Sequence, residues 1–296
     1  MQVTWKYLKG VTQPTAAVLT ALSLEFTAVR EHLTDIRRVR HPRGTAASVG
    51  RLPGTPWEVA LVELGEGNLT AAALTERVVS WLDPEAVLFV GIAGALKSDI
   101  EVGDVVVATK VYGIHGGKET PDGFLVRPEA WRASHRLEQA AREALRDDPR
   151  AHLKPIAAGD VVLASARSAL AAQLKAHYGD AAAVEMEGAG VASAVHLAGG
   201  DALVIRGISD RADEGKSHAD EGGSQPRAAA NAAGAAVAVL RELRPSRTAA
   251  AGRGGPDAGE GARPTATYGG DHLDFRGSTF NGPFVAKRVE RPGGER

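Results

Sequence analysis

The stretch Ala202–Asp213, ALVIRGISDRAD, decides how this chain is read. Ala202 to Ile205 make a short apolar run, and a strand apolar on both faces belongs in a parallel sheet covered by helices. The run passes into Arg206, Gly207, Ser209 and Asp210. Charged and hydroxyl groups at the carboxyl end of a buried parallel strand stand where open α/β sheets place their ligands, which makes Asp210 a candidate catalytic group.

Upstream, AAAVEMEGAG repeats the arrangement: Ala182 to Val184 lead into Glu185, Met186 and Glu187. The two glutamates lie two apart, so on an extended segment they project to one side, where they need a ligand or a cationic partner. A salt bridge to Arg206 on a neighbouring strand suits Glu185. Together the VEME and RGISD segments resemble the nucleoside phosphorylase and nucleosidase superfamily, specifically its methylthioadenosine/adenosylhomocysteine nucleosidases. The resemblance covers residues 17–243. It implies a single α/β domain with a central, mostly parallel twisted sheet flanked by helices.

Composition agrees with a folded enzyme of that kind. With 35 basic and 36 acidic residues the formal charge is -1, which offers no strong field for nucleic acid. Cysteine is absent, so disulfides and thiolate metal sites are excluded. No apolar run approaches the roughly 18 residues of a membrane span, and the opening MQVTWKYLKG has no signal-peptide core. The expectation is a soluble, cytoplasmic protein with neither cofactor nor metal.

Along the chain, residues 1–16 read as an extension and Ala17–Leu22 as a first strand. Ser23 is the expected N-cap of a helix from Leu24 towards Leu33. Trp57–Leu64 reads as a second strand, closed by Gly65, Glu66, Gly67 and Asn68 as a tight turn before a helix to Trp81. Val87–Gly91 is a third strand, and its small residues Gly91, Ala93 and Gly94 let a ligand ring approach the backbone. Asp104 reads as a structural turn residue. Tyr112–Arg127 reads as a loop whose His115, Lys118 and Arg127 either are solvated charges, the favoured reading, or meet a 5′-phosphate chain if the substrate is a nucleotide. A helix is expected from Pro128 and Glu129 to Arg146, a strand over Pro155–Leu163, and a helix from Ser165 to Tyr178. His196 reads as a packed histidine.

The resemblance assigns roles to particular residues. Glu25 aligns with the family's water-activating glutamate, Glu187 with the residue that takes both ribose hydroxyls, and Asp210 with the acid that protonates the departing base, Ser209 orienting it. Met186 packs on the sugar, Ala93 and Gly94 flank base and ribose, and Arg206 joins the substrate-binding set. Val162 and Leu163 stand where the family lines the base pocket, partly with an aromatic ring, so stacking is weaker here. Ile92 replaces a frequent hydroxyl residue that helps phosphorolytic members hold phosphate, and isoleucine has no hydroxyl to donate.

The implied reaction is hydrolysis of the N-glycosidic bond of a methylthioadenosine- or adenosylhomocysteine-like nucleoside. GGSQPRAAANAAGAAVAVLREL, with Ser224 and Arg227 in place of aromatics, resembles instead nucleosidase domains of conflict-system effectors, some of which look like ATP N-glycosidases. Phosphorolysis and a catalytically silent nucleoside-binding module are further alternatives. The implied partner is a small adenine nucleoside or nucleotide, and family members assemble as homo-oligomers. Residues 244–267 read as a disordered linker, and 268–296, rich in phenylalanine with an Asn281-Gly282 turn, as a β-prone tail that could pair with a protein partner or dock on the chain's own sheet.

Overall fold

The computed structural model describes residues 15–121, 123–213 and 223–246, all within one compact unit, Met1–Ala251. The extension expected over 1–16 ends earlier, since Thr15 and Ala16 already belong to the first strand; residues 1–14, the linker beyond Ser246 and the β-prone tail over 268–296 lie outside the described residues. Strand β1 (Thr15–Thr20) is wholly buried. Its alternate residues feed two separate cores, Ala17 and Leu19 on one face and Ala16 and Val18 on the other. A strand covered on both faces needs no polar alternation, which is why these runs are continuously apolar in sequence.

The chain continues through α1 (Ser23–Arg30), β2 (Thr34–Arg40), β3 (Ala46–Arg51), β4 (Glu58–Glu63), α2 (Asn68–Leu82) and β5 (Ala86–Ala95). Then come β6 (Val105–Gly113), β7 (Gly117–Thr120), β8 (Gly123–Val126), β9 (Glu129–Arg132), α3 (His135–Ala144) and β10 (Ala151–Ala158). The described part closes with α4 (Ala169–His177), β11 (Ala183–Glu185), α5 (Gly188–Leu197), β12 (Ala202–Asp210) and α6 (Ser224–Glu242).

Ten strands form one mixed sheet in the order β11-β10-β6-β12-β5-β1-β4-β3-β2, with β9 on β6. The pairings of β1 with β4, β1 with β5 and β5 with β12 are parallel. The far end of β5 also pairs antiparallel with β11, at Ala183↔Ala95 and Val184↔Gly94. Strands β5, β12, β6, β10 and β11 therefore close on themselves, and the carboxyl ends of β5, β11 and β12 meet. Helices α2 and α5 cover one face of the sheet, and α1, α3 and α6 the other.

Helix α6 comes close because its inner face is alanine: Ala228, Ala229, Ala232 and Ala233 are buried. Opposite stands Gly207 of β12, where a Cβ would overlap the Ala228 carbonyl. Arg227 donates from Nη2 to the Val102 carbonyl at 3.1 Å and ties α6 to the turn before β6. Asp104 serves that turn too, accepting from the Glu101 N–H at 3.0 Å with His152 Nε2 at 2.9 Å.

Several local expectations need correcting. Pro128 and Glu129 do not open a helix: Glu129–Arg132 is strand β9, paired with β6, and helix α3 starts only at His135. The run Glu-Ala-Trp-Arg is short enough for a free strand edge to override its helical appearance. The Tyr112–Arg127 segment contains the end of β6 and the β7–β8 hairpin instead of a continuous loop. The strand expected to run to Leu163 stops at Ala158, and α4 begins at Ala169. No strand is expected between Leu33 and Trp57, yet β2 and β3 lie there: β2 reads TDIRRVR and is half-exposed or exposed throughout, whereas the four central residues of β3 are buried. His196 is exposed at the end of α5 and is not packed.

Candidate active site

Where β5, β11 and β12 end, a cavity of ≈ 210 Å³ opens. Glu25, Glu187 and Asp210, separated in sequence by up to 185 positions, all line it, and Met186, Ser209, Ala93, Gly94, Val162 and Leu163 line it as well. Arg206 is the exception among the expected contact residues. It is 1% exposed and lies behind the cavity wall, because its strand position points it into the layer beneath the carboxylates.

Glu25 sits in the first turn of α1, whose preceding N–H groups have no partner in the helix. Its Oε2 accepts from Ala21 and Leu22 at 2.8 and 2.9 Å, and its Oε1 accepts from Ile92 at 2.8 Å. Ser23 is the first residue of α1 and does not cap it; Leu22 precedes the helix. Three N–H bonds leave acceptor capacity on the side that faces the cavity. Burial pushes the Glu25 carboxyl up, against the opposing pull of Arg206 and these three N–H groups, so it is a stronger proton acceptor than a free glutamate.

Arg206 lies behind three carboxylates. Its Nη2 bonds to Glu185 Oε2, and it stands 3.8 Å from Glu187 Oε2 and 3.9 Å from Glu25 Oε1. Its guanidinium lies 3.9 Å from the centroid of the Phe89 ring. Burial works against the Arg206 charge, but Glu185, Glu25 and Glu187 outweigh it and raise its pKa. Gly91 makes room for this pair, since a Cβ there would overlap Arg206 Nη1 and Glu25 Oε1. Glu185 also accepts from the N–H groups of Glu187 and Gly188 at the start of α5, at 3.1 and 2.9 Å. It belongs to the scaffold, held by Arg206 as its spacing suggested.

Glu187 is 6% exposed and faces the cavity from the residue before α5. The chain turns between Glu185 and Glu187, so the two converge on Arg206 without lying on one extended segment. Glu187 Oε1 accepts from Gly67 at 2.9 Å. Its pKa is pushed up to about 7, first by burial, with Arg206 opposing and Glu185 adding to the rise. One cation cannot balance three buried carboxylates, and a proton on Glu187 lowers the excess negative charge below that pH.

Asp210 owes its position to a bulge. Strand β12 pairs Ile208 with Ala93 and Asp210 with Gly94, leaving Ser209 as the extra residue. In a regular strand the two side chains would point to opposite faces, and the bulge turns both to the cavity. Ser209 Oγ donates to Asp210 Oδ2 at 2.8 Å, and the Ala212 N–H to Oδ1 at 2.8 Å. The neighbouring wall is apolar, with Leu163 buried and Val162 half exposed to the opening.

The Gly65–Asn68 turn is more than a tight turn. Glu66 lines the cavity, Gly67 holds Glu187, and Asn68 accepts from Gly190 at 2.9 Å and donates through Nδ2 to Asp160 at 3.0 Å. The sequence signal was the glycine-rich strand-to-helix turn itself. Gln225, at the start of α6, also faces the cavity and had no signal. His115 pairs with Asp160, 3.6 Å away, and neither it nor Lys118 nor Arg127 lines the cavity.

The description of the phosphorylase superfamily matches residues 15–241. The chain is 30% identical over 200 residues to a 5′-methylthioadenosine/S-adenosylhomocysteine nucleosidase of Maridesulfovibrio salexigens, covering 66% of this chain and 85% of that one. The solved nucleosidase of Neisseria meningitidis in complex with methylthio-immucillin-A is 27% identical, with a TM-score of 0.68 over 77% of this chain and 99% of that one. That of Colwellia psychrerythraea in complex with adenine is 27% identical, with a TM-score of 0.69 over 78% and 96%. The matched span takes in every strand of the large sheet and every described residue facing the cavity, so the chain belongs to the phosphorylase superfamily, among relatives that are methylthioadenosine/adenosylhomocysteine nucleosidases.

Proposed function

We propose that this chain is a hydrolytic adenine nucleosidase acting on methylthioadenosine- or adenosylhomocysteine-like nucleosides. The observation that carries the reading is the convergence of Glu25, Glu187 and Asp210 on one cavity. Water attacks C1′ as the bond from C1′ to the base nitrogen breaks and its electron pair passes to the purine. Asp210, oriented by Ser209, delivers a proton to N7 of the leaving base. Glu25, made more basic by burial, takes the proton of the attacking water, and solvent returns it to Asp210 before the next turnover. The two oxygens of ionised Glu187 each accept one hydroxyl of the ribose diol. Met186 packs on the sugar, and Ala93 and Gly94 let the ring approach the backbone.

Among the described residues, the cavity lining holds five carboxyl groups, Glu25, Glu66, Glu185, Glu187 and Asp210, and no Lys, Arg or His. Such a lining favours a neutral 5′ substituent over a polyphosphate, and water over inorganic phosphate as the attacking group. It weighs against an ATP N-glycosidase and against phosphorolysis. The deciding experiment incubates the full chain with methylthioadenosine, adenosylhomocysteine and ATP, with and without phosphate, and measures free adenine. Adenine and free sugar from either nucleoside in phosphate-free buffer is the expected result. Release only with phosphate would make it a phosphorylase, release from ATP alone a nucleotide enzyme, and release from none a silent module.

A further inference from the structure

A second cavity of ≈ 400 Å³ adjoins the catalytic one, and Leu163 and Ala212 line both. Its own lining carries Lys97, Lys175, Arg211 and Tyr178, with Asp213 as the one carboxylate among the described residues. Lys175 and Arg211 are exposed and form no hydrogen bond or ion pair among the described residues, while Lys97 donates to the Gly179 carbonyl and keeps donors to spare. Among the described residues the first cavity carries five carboxyl groups and no cation, and its neighbour three cations against one carboxylate, so the two suit different chemistry.

Resting on the nucleosidase reading, the position of the second cavity relative to the base follows from purine geometry. Asp210 protonates N7, and on a purine the 6-substituent lies beside N7, on the same edge. That edge then faces Asp210, Leu163 and Ala212, beyond which the second cavity opens. Leu163 and Ala212, buried in one apolar cluster, are the two residues that line both cavities. Ala212 has a φ of 50°, a left-handed conformation that alanine adopts only under strain, and it holds its methyl against Gly94.

We propose that the second cavity is a subsite for an anionic group on the 6-amino substituent of the base, so that N6-carboxyalkyl adenine nucleosides are substrates alongside the unsubstituted ones. The substituent passes between Leu163 and Ala212, and its carboxylate meets Lys97, Lys175 and Arg211, charge-assisted contacts that the 6-amino group by itself cannot reach.

The test uses the full chain with three nucleosides: 5′-methylthioadenosine, its N6-carboxymethyl derivative and the neutral N6-carbamoylmethyl derivative, each assayed for the freed base. The carboxymethyl compound is expected to be cleaved with a kcat/KM about tenfold above that of its carbamoyl counterpart, as for a charged over a neutral hydrogen-bonding group. The double variant Lys175→Glu/Arg211→Glu should erase that preference while methylthioadenosine hydrolysis stays as it was. The inference is overturned if methylthioadenosine is cleaved and the carboxymethyl compound is not, or if the double variant keeps the preference. If no base is freed from any of the three, the nucleosidase reading falls and this inference with it.

Discussion

On the proposed nucleosidase reading, the sugar end and the base end of the cavity are built on opposite principles. At the sugar end, Glu25, Glu185 and Glu187 crowd around one buried guanidinium, and every one of these four charged groups is at most 6% exposed. At the base end, Asp210 is held by the Ser209 hydroxyl and the Ala212 N–H, with the apolar Leu163 close by. The sugar end is a fixed electrostatic frame in which three carboxylates share one cation. The base end is a place where a proton can be handed over in an apolar setting. A glycosidic cleavage needs both, because positive charge grows on the sugar while electron density moves to the base.

The largest effect expected on breaking this contrast is at the base end. Asp210→Asn keeps the shape and removes the proton donor, so kcat should fall by about 10² to 10⁴, with little change in melting temperature. A turnover equal to the wild type on an adenine nucleoside would end the assignment of Asp210 as the acid. At the sugar end the matching cut is Arg206→Met, which leaves three buried carboxylates without their cation. Thermal unfolding should show a loss of about 3 to 5 kcal/mol, the scale for breaking a buried ion pair, and a variant as stable as the wild type would show that the frame does not need its charge.

Glu187→Gln sharpens the comparison through pH. Because the folded-state pKa of Glu187 is raised from 4.5 to about 7, the folded protein binds more protons than the unfolded chain between those values. Its stability therefore falls as pH rises through that window, by on the order of 3 kcal/mol once fully developed. The glutamine variant should be more stable than the wild type at pH 8 and no more stable at pH 4, as read by denaturant midpoints. The same ionisation should give kcat/KM of the wild type an ascending limb near pH 7, lost in the variant along with most ribose binding. A limb that survives the substitution would assign it elsewhere. Smallest is Val162→Phe, which adds a ring where the base pocket opens. An offset stack contributes about 0.5 to 1.5 kcal/mol, so KM for methylthioadenosine should drop severalfold. An unchanged KM would place Val162 away from the base.

Where the chain's own pattern is strong, sequence and structure agree: the apolar runs of β1, β5 and β12 are buried strands, and acidic groups stand just past β1 (Glu25) and at the end of β12 (Asp210). Where burial is one-sided or weak the pattern is silent. Strand β2, with three arginines in TDIRRVR, looks like a solvated segment because it forms the exposed edge of the sheet. Strand β9 looks like the first turn of a helix because four residues carry too little periodicity to separate the two. The Gly65–Asn68 turn looks ordinary until Glu187 is seen to hang on its backbone.

By itself the sequence determined which strands are buried on both faces and which acidic side chains stand at their ends, because side-chain periodicity and turn chemistry are local properties. Only the tertiary structure decided that Arg206 serves the carboxylates from behind the cavity wall, that a bulge at Ser209 turns Asp210 inward, and that Glu187 titrates near neutrality. Those outcomes depend on desolvation and on charges a few ångströms apart whose positions in the chain are far apart, and no local pattern encodes such distances.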